Sequence, residues 1–248
     1  MALRWLRHEA GVRYEVRSAG GTLRLYSNGV FHSQYNPAQP VTGSVWDLLL
    51  LPAFALPAGR PARVLLLGVG GGAVIRQLNT FLSPDLIVGV ELNPVHLEVA
   101  HGHFGAAANN VCLLEADARQ WLAAYRGPSF DLVIDDLFGH VEGEAVRAIA
   151  VDTGWCRELM RVLSPEGALV MNFESERQLR RAALWREPPL RRHWADGQVL
   201  TTPHYENAIG AFFRQMPDWG DFERRLKAHP ELDARRAHCR LRYHRKPL

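Results

Sequence analysis

The feature that most constrains the fold is a regular alternation of apolar strands and helices that begins near Arg63. RVLLLG, LIVGVEL, NVCLLEAD, FDLVIDD and GALVMNF are short, largely apolar segments. Helical segments follow each of them, namely GGAVIRQLNTFL, PVHLEVAHGHF, ARQWLAAY, roughly Gly143 to Leu163, and ERQLRRAALW. Continuously apolar strands that alternate with helices are typical of a parallel sheet covered on both faces. We therefore expect an α/β, Rossmann-like fold.

Two further patterns complete the predicted architecture. QVLTT and NAIGAFFR predict a closing antiparallel hairpin, which gives a mostly parallel seven-stranded sheet. Upstream, VRYEV and TLRLY are strand-like, and Asn28-Gly29 predicts a tight hairpin because both residues tolerate positive φ. We divide the chain into an N-terminal β-hairpin subdomain with a connecting helix (1–57), a Rossmann-like nucleoside-binding domain (58–220) and a basic helical tail (221–248).

Composition narrows the class of protein. The chain has 248 residues, of which 47% are hydrophobic and 22% charged, as in ordinary globular domains. A net charge of +3 is too small to indicate nucleic-acid binding. The three cysteines (Cys112, Cys156, Cys239) have neither zinc-ligand nor disulfide spacing, which favours a reducing cytoplasm and no metal. The longest apolar run, Leu48 to Leu56, is too short to span a bilayer, and the first residues have no signal-peptide pattern.

The strongest local signal is a glycine-rich bend, formed by Gly68, Gly70, Gly71 and Gly72, which directly follows a strand and directly precedes a helix. Glycine allows a tight turn and a close approach of the backbone to a ligand, and the helix N-terminus presents free N–H groups. We expect this bend to bind a nucleoside-containing cofactor.

Acidic residues end the next two strands. Glu91 lies 23 residues after Gly68 and can accept hydrogen bonds from ribose hydroxyls, beyond the carboxyl ends of the strands. Asp117, followed by Ala118, can contact an adenine amino group, cap the next helix, or do both. The bend alone does not exclude NAD, but Asp117 and the closing hairpin favour a methionine-derived nucleoside.

Asp135 and Asp136 end the fourth strand. Because strand residues alternate between faces, one of the two carboxylates is expected to face the ligand and the other to pair structurally. We favour Asp136 as the base and include Asp135 among the candidate cofactor-binding residues. Like-charge repulsion from Asp135 would raise the pKa of Asp136.

Taken together, LLLGVGGGAVIRQL, VGVELNPVHLEVAHGHF, EADARQWL and FDLVIDD resemble the spermidine synthases, which are polyamine aminopropyltransferases on the class I methyltransferase fold. Asn172-Phe173-Glu174-Ser175 is similar to the family's Gln-x-Glu-Ser segment, and Thr202-Pro203-His204-Tyr205 to its Pro-Thr-Tyr segment. LRLYSNGVFHS resembles its hairpin ending in Asp-Gly-x-x-Gln. The resemblance extends from about Leu23 to Phe213 and marks the chain as a divergent member.

The resemblance implies aminopropyl transfer from decarboxylated S-adenosylmethionine to an amine, usually in a homodimer or tetramer. It implies that Asp136 is the catalytic aspartate, that Glu91 binds the ribose and that Asp117 contacts the adenine. It also implies that the acceptor amine is bound by Tyr205, Asn172, Glu174 and His32. His140 and His204 lie in segments that can border the same pocket.

Departures from the family pattern leave the reaction open. Ala73 and Gly139 occupy slots where the family has acids that hold the donor amine and the diamine. Asn172 and His32 replace glutamines, and the N-terminal Tyr-His-Glu motif is absent, with Trp46 nearby. With fewer acids, intact S-adenosylmethionine is less repelled, and Arg76 is a candidate partner for its carboxylate. Three hypotheses follow: an aminopropyl transferase, an S-adenosylmethionine-dependent methyltransferase with an unknown acceptor, and a non-catalytic nucleoside-binding module.

Overall fold

The N-terminal segment forms a separate antiparallel sheet. The computed structural model of the protein describes residues 1–141 and 144–248. Strands β1 (Ala2–Glu9), β2 (Val12–Ala19), β3 (Thr22–Ser27) and β4 (Val30–Tyr35) pair in sequence order. Asn28 and Gly29 have φ of +48° and +82° in the turn between β3 and β4, which confirms the predicted hairpin. The sequence analysis missed β1, whose side chains are mostly exposed and therefore carry only a weak pattern.

A short helical connection joins this sheet to the main domain. Helix α1 (Val45–Leu50) continues into a 3-10 helix, Leu51–Ala55, and most of their side chains are buried. Asp47 accepts hydrogen bonds from the backbone N–H groups of Thr42 and Gly43 and from the Gln77 amide, at 2.9, 2.7 and 2.5 Å. This carboxylate therefore fixes the turn that leads the chain into α1.

The main sheet has eight strands, one more than predicted. They are β5 (Arg63–Leu67), β6 (Leu86–Glu91), β7 (Val111–Glu115), β8 (Phe130–Asp135), β11 (Leu163–Phe173), β12 (Asp196–Thr201), β13 (Ala208–Phe213) and β14 (His244–Pro247). Their order is β14-β12-β13-β11-β8-β5-β6-β7. The five strands from β11 to β7 are parallel, while β13, β12 and β14 pair antiparallel. The predicted α/β, mostly parallel sheet with an antiparallel hairpin is thus confirmed.

Helices cover both faces of this sheet. They are α2 (Ala73–Phe81), α3 (Pro94–Gly102), α4 (Ala118–Ala124), α5 (Thr153–Arg161), α6 (Glu176–Arg181), α7 (Ala183–Arg186), α8 (Pro188–Arg191) and α9 (Trp219–Lys227). Alternate residues of the central strands divide between two large buried cores. Leu66, for example, packs in one core and Leu67 in the other.

Three local predictions were wrong. Gly143, where the predicted helical segment begins, lies outside the described residues. From residue 144 to Leu163 the chain is α-helical only over Thr153–Arg161, because Glu144–Arg147 forms strand β10, paired with β9 (Phe138–Val141). ERQLRRAALW is two helices, since Ala182 is extended with ψ of 142°. The C-terminal tail is not helical throughout, because β14 pairs with β12 at the sheet edge. In the first and third cases long-range pairing outweighs local helical preference.

The N-terminal sheet packs on the main domain beside the carboxyl ends of the parallel strands. Val16 and Leu25 share a small buried core with Val99 and Phe104. Asn93, after β6, donates a hydrogen bond to the Tyr14 hydroxyl at 2.9 Å. The two sheets therefore enclose a space between them, and this space contains the candidate site.

Two global features concern location. The three cysteines are free. No helix within residues 1–141 and 144–248 is long and apolar enough to cross a membrane.

Candidate active site

A cavity of about 1110 Å³ lies between the N-terminal sheet and the carboxyl ends of the parallel strands. The main domain contributes the glycine-rich bend after β5 and the residues that follow β6, β7, β8 and β11. The opposite wall comes from the N-terminal region and includes Tyr14, Ser27, Phe31, His32 and Trp46. Both sheets are therefore needed to form the site.

The first part of the glycine-rich bend faces the cavity. Gly68 has φ of +86°, and a Cβ there would lie 2.3 Å from the carbonyl oxygen of Asp136. Gly70 has φ of +52° and lies against the carbonyl oxygen of His32. Any larger residue at Gly68 would push apart the bend and the end of β8. The glycine there brings the bend and the acidic end of β8 into direct contact.

The second part of the bend packs inward. Gly71 and Gly72 do not line the cavity. A Cβ on Gly71 would lie 2.6 Å from the Phe104 ring and 2.7 Å from the Ser33 side chain, and one on Gly72 would lie 2.5 Å from the Ala106 Cβ. The cofactor-binding role predicted for Gly71 and Gly72 therefore does not fit their placement. These glycines let the start of α2 pack closely against its neighbours.

Glu91 holds the bend in place. One of its carboxylate oxygens accepts hydrogen bonds from the N–H groups of Val69 and Gly70 at 2.9 and 3.0 Å. The other accepts from Asn93 N–H at 2.9 Å. The side chain is largely buried but reaches the cavity. A carboxylate has about four acceptor positions, so Glu91 can brace the bend and still accept a hydrogen bond from a ligand hydroxyl.

Asp117 caps α4 at the cavity wall. Its Oδ1 accepts hydrogen bonds from the N–H groups of Arg119 and Gln120 at 2.8 and 3.0 Å. Asp117 and the buried Ala118 both line the cavity. Within the described part of the chain, Oδ2 of Asp117 has no hydrogen-bond partner. The capping role is therefore present, and Oδ2 remains for an amino group of a ligand.

Asp135 is a structural anchor. It is fully buried, and its Oδ2 accepts hydrogen bonds from Arg147 and from the Trp155 indole N–H, both at 2.8 Å. It does not line the cavity. The predicted contact between Asp135 and a cofactor does not fit this geometry. Its carboxylate instead ties the β9–β10 hairpin and α5 to the end of β8.

Asp136 points to the opposite side of β8 and lines the cavity. Its Oδ1 accepts a hydrogen bond from the Asn172 amide at 2.7 Å. Burial raises the pKa of Asp136 to about 6, with Asp135 and Glu91 adding to the rise and Asn172 and Arg147 opposing it. A carboxylate with a pKa just below neutrality is largely ionised at pH 7 and is well matched to proton abstraction.

The residues predicted to bind an acceptor lie in the same cavity as Asp136. Asn172, Glu174, Tyr205 and His32 all line the cavity. Tyr205 is 37% exposed, whereas Asn172 is 3% exposed. Glu174 accepts a hydrogen bond from Arg147 N–H at 2.8 Å. These side chains come from three distant parts of the chain and line one cavity, with His32 on the N-terminal wall.

Histidines connect the two walls. The rings of His32 and His96 are 4.7 Å apart, and His96 Nε2 lies 3.0 Å from the Ser27 hydroxyl. His96 Nδ1 is 3.9 Å from Glu91. His204 is exposed and does not line the cavity. The side chain of His140, the other candidate, lies outside the described residues.

Arg76 does not reach the cavity. Its guanidinium donates to the carbonyl oxygens of Gly71, Phe104 and Gln34 at 2.7, 3.0 and 2.5 Å and lies over the Tyr35 ring. Burial lowers its pKa to about 10. The predicted contact with a donor carboxylate is therefore wrong. Arg76 instead joins the N-terminal sheet to the main domain.

Sequence reasoning missed most of the wall supplied by the N-terminal sheet. Tyr14, Ser27, Phe31 and His96 line the cavity, as does Asn207 just before β13. Alternation along a hairpin indicates which residues share a face but not what that face packs against. Trp46, near the position of the absent Tyr-His-Glu motif, also lines the cavity, and its ring meets Phe31 edge-on at 5.2 Å.

Acidic side chains dominate the charge of the cavity. Among the described residues that line it, the carboxylates are those of Glu9, Glu91, Asp117, Asp136, Glu174 and Glu206. The basic side chains in the same lining are Arg119, His32 and His96. The cavity therefore favours cationic ligands over anionic ones. Within the described residues, no group of three or more His, Cys, Asp or Glu side chains is placed to hold a metal ion.

Comparisons with known proteins agree with this geometry. A family model described as a methyltransferase domain matches residues 64–167. The polyamine aminopropyltransferase of Chromobacterium violaceum is 27% identical over 180 residues, which are 71% of this chain and 66% of that protein. The chain thus matches just under two-thirds of the length of this relative.

Solved structures share the fold at low sequence identity. A spermidine synthase in complex with the transition state analogue AdoDATO superposes with a TM-score of 0.65 at 12% identity, covering 93% of this chain and 76% of that one. Human methyltransferase-like protein 13 in complex with SAH has a TM-score of 0.61 at 18% identity, covering 78% of this chain and 96% of that one. The fold is therefore the Rossmann-like one common to these proteins.

Proposed function

We propose that this chain, a divergent relative of the spermidine synthases on the class I methyltransferase fold, transfers an aminopropyl group from decarboxylated S-adenosylmethionine to an amine, with Asp136 as the base. One observation carries the proposal: Asp136, whose pKa is raised to about 6, lies in a cavity of about 1110 Å³ whose charged lining residues are mostly carboxylates. An amine acceptor and a decarboxylated donor are both cationic, and both suit that environment.

The reaction needs one proton acceptor and accurate positioning. The amine nitrogen attacks the propyl carbon bonded to the sulfonium, and the carbon–sulfur bond breaks with its electrons moving to sulfur. Methylthioadenosine leaves, and the carboxylate of Asp136 takes the proton that the alkylated nitrogen releases. Holding the two reactants in line can contribute ~7–11 kcal/mol in favourable cases.

We assign the donor to the wall formed by the ends of β5, β6 and β7. In this assignment Gly68 and Gly70 allow the backbone to approach the nucleoside, Glu91 accepts from the ribose and Oδ2 of Asp117 accepts from the adenine amino group. Ala118 lies beside the adenine. The hydrogen bonds that hold Glu91 and Asp117 support these roles, because they orient both carboxylates.

The preference for a decarboxylated donor rests on charge. Intact S-adenosylmethionine carries a carboxylate that needs a cationic partner. Arg76, the candidate partner, instead donates to three carbonyl oxygens behind the glycine-rich bend. Among the described residues that line the cavity, the arginine present is Arg119, which adjoins the adenine-side Asp117. We therefore propose decarboxylated S-adenosylmethionine, rather than the intact form, as the preferred donor.

The acceptor lies, in this proposal, among Tyr205, Asn172, Glu174 and His32, with Phe31 and Trp46 as apolar walls. Gly139 leaves this region without one acid that the family uses. Glu174 and Glu206 supply two other carboxylates to the lining of the cavity. We therefore propose that the acceptor is an amine. The acceptor panel described below determines its chain length.

Methyl transfer is the second candidate. It is favoured by the methyltransferase-domain match over residues 64–167, a segment that contains the bend, Glu91, Asp117 and Asp136. The same base and nucleoside wall would serve an acceptor attacking the sulfonium methyl carbon. The two reactions differ in the donor that binds, which makes donor affinity the deciding measurement.

Titration calorimetry with S-adenosylmethionine, its decarboxylated form and methylthioadenosine tests the proposal. We expect the decarboxylated donor to bind at least about tenfold more tightly than the intact one, a difference of ~1.4 kcal/mol. Incubating the bound donor with a panel of diamines and monoamines, and detecting methylthioadenosine by mass spectrometry, then identifies the acceptor. Tighter binding of the intact donor would favour methyl transfer, and binding of none of the three would favour a non-catalytic module.

We also propose a cytoplasmic homodimer. The free state of all three cysteines supports a reducing compartment. Leu3 and Leu6 on edge strand β1 are 50 and 42% exposed, and Met1, just before that strand, is 70% exposed; this apolar exposure supports contact with a second copy. Sedimentation at several protein concentrations would detect the dimer, and a mass that stays monomeric at all of them would rule it out.

A further inference from the structure

Two asparagines form a chain of hydrogen bonds that ends on Asp136. Asn207, which immediately precedes β13, donates from Nδ2 to Oδ1 of Asn172 at 3.0 Å. Asn172, near the end of β11, donates from Nδ2 to Oδ1 of Asp136 at 2.7 Å. Asn172 is 3% exposed, so its amide depends on these protein partners. The three side chains thus form a single polar row along one wall of the cavity.

When Asp136 is ionised, the hydrogen bonds along this row can run in only one direction, from donor to acceptor toward Asp136. A carboxylate only accepts hydrogen bonds, so the Asn172 amide must present its NH2 group to Asp136. Its carbonyl oxygen then faces away and needs a donor, which the NH2 group of Asn207 provides. An amide turned the other way would place two acceptors against each other unless Asp136 were protonated.

We propose that Asn207 is a positioning residue: by fixing the orientation of the Asn172 amide, it keeps Asp136 in the ionised form that accepts the proton in the reaction. This inference rests on the proposed function for the role of Asp136 as base. It assigns to Asn207 a function in setting the protonation state of a residue that it does not touch.

Charged groups from three other elements also act on Asp136. Asp135 precedes it on β8, Arg147 ends β10, and Glu91 ends β6. The two carboxylates favour the protonated form of Asp136, and Arg147 opposes them. Because Arg147 is already paired with Asp135, the Asn172 hydrogen bond is the direct contact that favours the ionised form.

Asn207→Asp is the most informative substitution, because it keeps the shape of the side chain and replaces a donor with an acceptor. The Asn172 amide would then turn to donate to the new carboxylate, and its carbonyl oxygen would face Asp136. Asp136 could satisfy that contact only by carrying a proton. We expect the pKa of Asp136 to rise by about one to two units.

Carbon-13 NMR of aspartate-labelled protein measures this pKa without any turnover. The Asp136 carboxyl signal is assigned by its loss in Asp136→Asn. The matched control is His204→Asp, which adds a carboxylate to the same loop at an exposed position outside the cavity lining. We expect the Asp136 titration to move upward in Asn207→Asp and to change by less than about half as much in His204→Asp. Equal shifts in both variants, or no shift in Asn207→Asp, would overturn the inference.

A second variant covers the case in which Asn207→Asp does not fold. Asn207→Ala removes the donor without adding charge, so the Asn172 amide loses its fixed direction. We expect a smaller upward movement of the Asp136 titration, and an unchanged titration would contradict the inference.

Kinetics then separates this inference from the proposed function. If the protein transfers the aminopropyl group, the pH at which kcat reaches half its maximum rises in Asn207→Asp in parallel with the NMR pKa. At pH 7 this corresponds to a loss of roughly twofold to tenfold in kcat that is recovered at higher pH. If no turnover is found but the NMR pKa still moves, the positioning role holds and the proposed reaction fails.

Discussion

At the residue scale, adjacent acids on β8 have opposite roles. Asp135 is fully buried and paired with Arg147, whereas Asp136 lies in the cavity with its pKa raised to about 6. Strand alternation separates the two carboxylates, and the groups that each one meets then determine its role. The same pair of residue types thus supplies one structural anchor and one candidate base.

Asp136→Asn is the direct test of the base. The substitution keeps an oxygen that accepts from Asn172 and removes the proton acceptor, so we expect kcat to fall ~10²–10⁴-fold while donor affinity stays within about twofold. In the unaltered protein kcat should rise with pH through about 6, because the proposed reaction requires the ionised form of Asp136. Steady-state rates from pH 5 to 9 and calorimetry with the decarboxylated donor measure both effects, and a kcat that survives the substitution would remove Asp136 from this role.

Stability should respond in opposite ways to changes at the two acids. The folded-state pKa of Asp136 lies above the ordinary aspartate value of 3.8, so the folded state holds the proton more strongly and loses stability as pH rises from about 4 to about 6. Asp136→Asn should therefore stabilise the protein at pH 7, by up to about 3 kcal/mol. Asp135→Asn weakens a buried ion pair and should destabilise it by ~3–5 kcal/mol. Urea unfolding at pH 4 and pH 7 checks both signs.

At the element scale, the glycine-rich bend serves two separate purposes. Its first half faces the cavity, while Gly71 and Gly72 allow the start of α2 to pack against Phe104, Ser33 and Ala106. Within five residues, 68–72, the chain therefore first lines the cavity and then allows close packing of a helix. Substitutions in the second half should affect folding before they affect ligand affinity.

Gly71→Ala is expected to destabilise the protein by ~1–3 kcal/mol, because the new methyl group would overlap Phe104 and Ser33. Gly102→Ala is the matched control. It lies at the end of α3 with open space around the added Cβ, so it should be neutral or stabilise by up to ~1 kcal/mol. Thermal unfolding of both variants measures the difference, and similar melting temperatures would contradict the packing role of Gly71.

At the scale of the whole molecule, the site depends on how the N-terminal sheet is fastened to the main domain. Arg76 links Gln34 of β4 to the bend and to Phe104 through three carbonyl oxygens. The pair of Asn93 and Tyr14 and that of His96 and Ser27 add further links across the same boundary. The cavity therefore forms only when the N-terminal sheet is packed against the main domain.

Arg76→Met should keep the apolar stem and leave three carbonyl oxygens without this donor, destabilising the protein by roughly 2–4 kcal/mol. Because the sheet carries Phe31 and His32, we also expect KM for the amine to rise more than kcat falls. Arg126→Met is the control, since Arg126 is exposed and donates to nearby carbonyl oxygens of its own segment. A variant at Arg76 with unchanged stability would show that the sheet is held by its apolar core alone.

The sequence by itself determined the parallel sheet, the closing hairpin, the Asn28-Gly29 turn and the acids at the strand ends. These follow from periodicity, turn chemistry and the rule that carboxyl ends of parallel strands share one edge, all of which act over short distances along the chain. Only the tertiary structure decided that Asp135 is an anchor, that Gly71 and Gly72 pack inward and that Arg76 points away from the cavity. It also decided that β14 completes the sheet and that Asn207 reaches Asn172. Each of these depends on partners distant in sequence, and the direction of a side chain is set by the groups that pack around it.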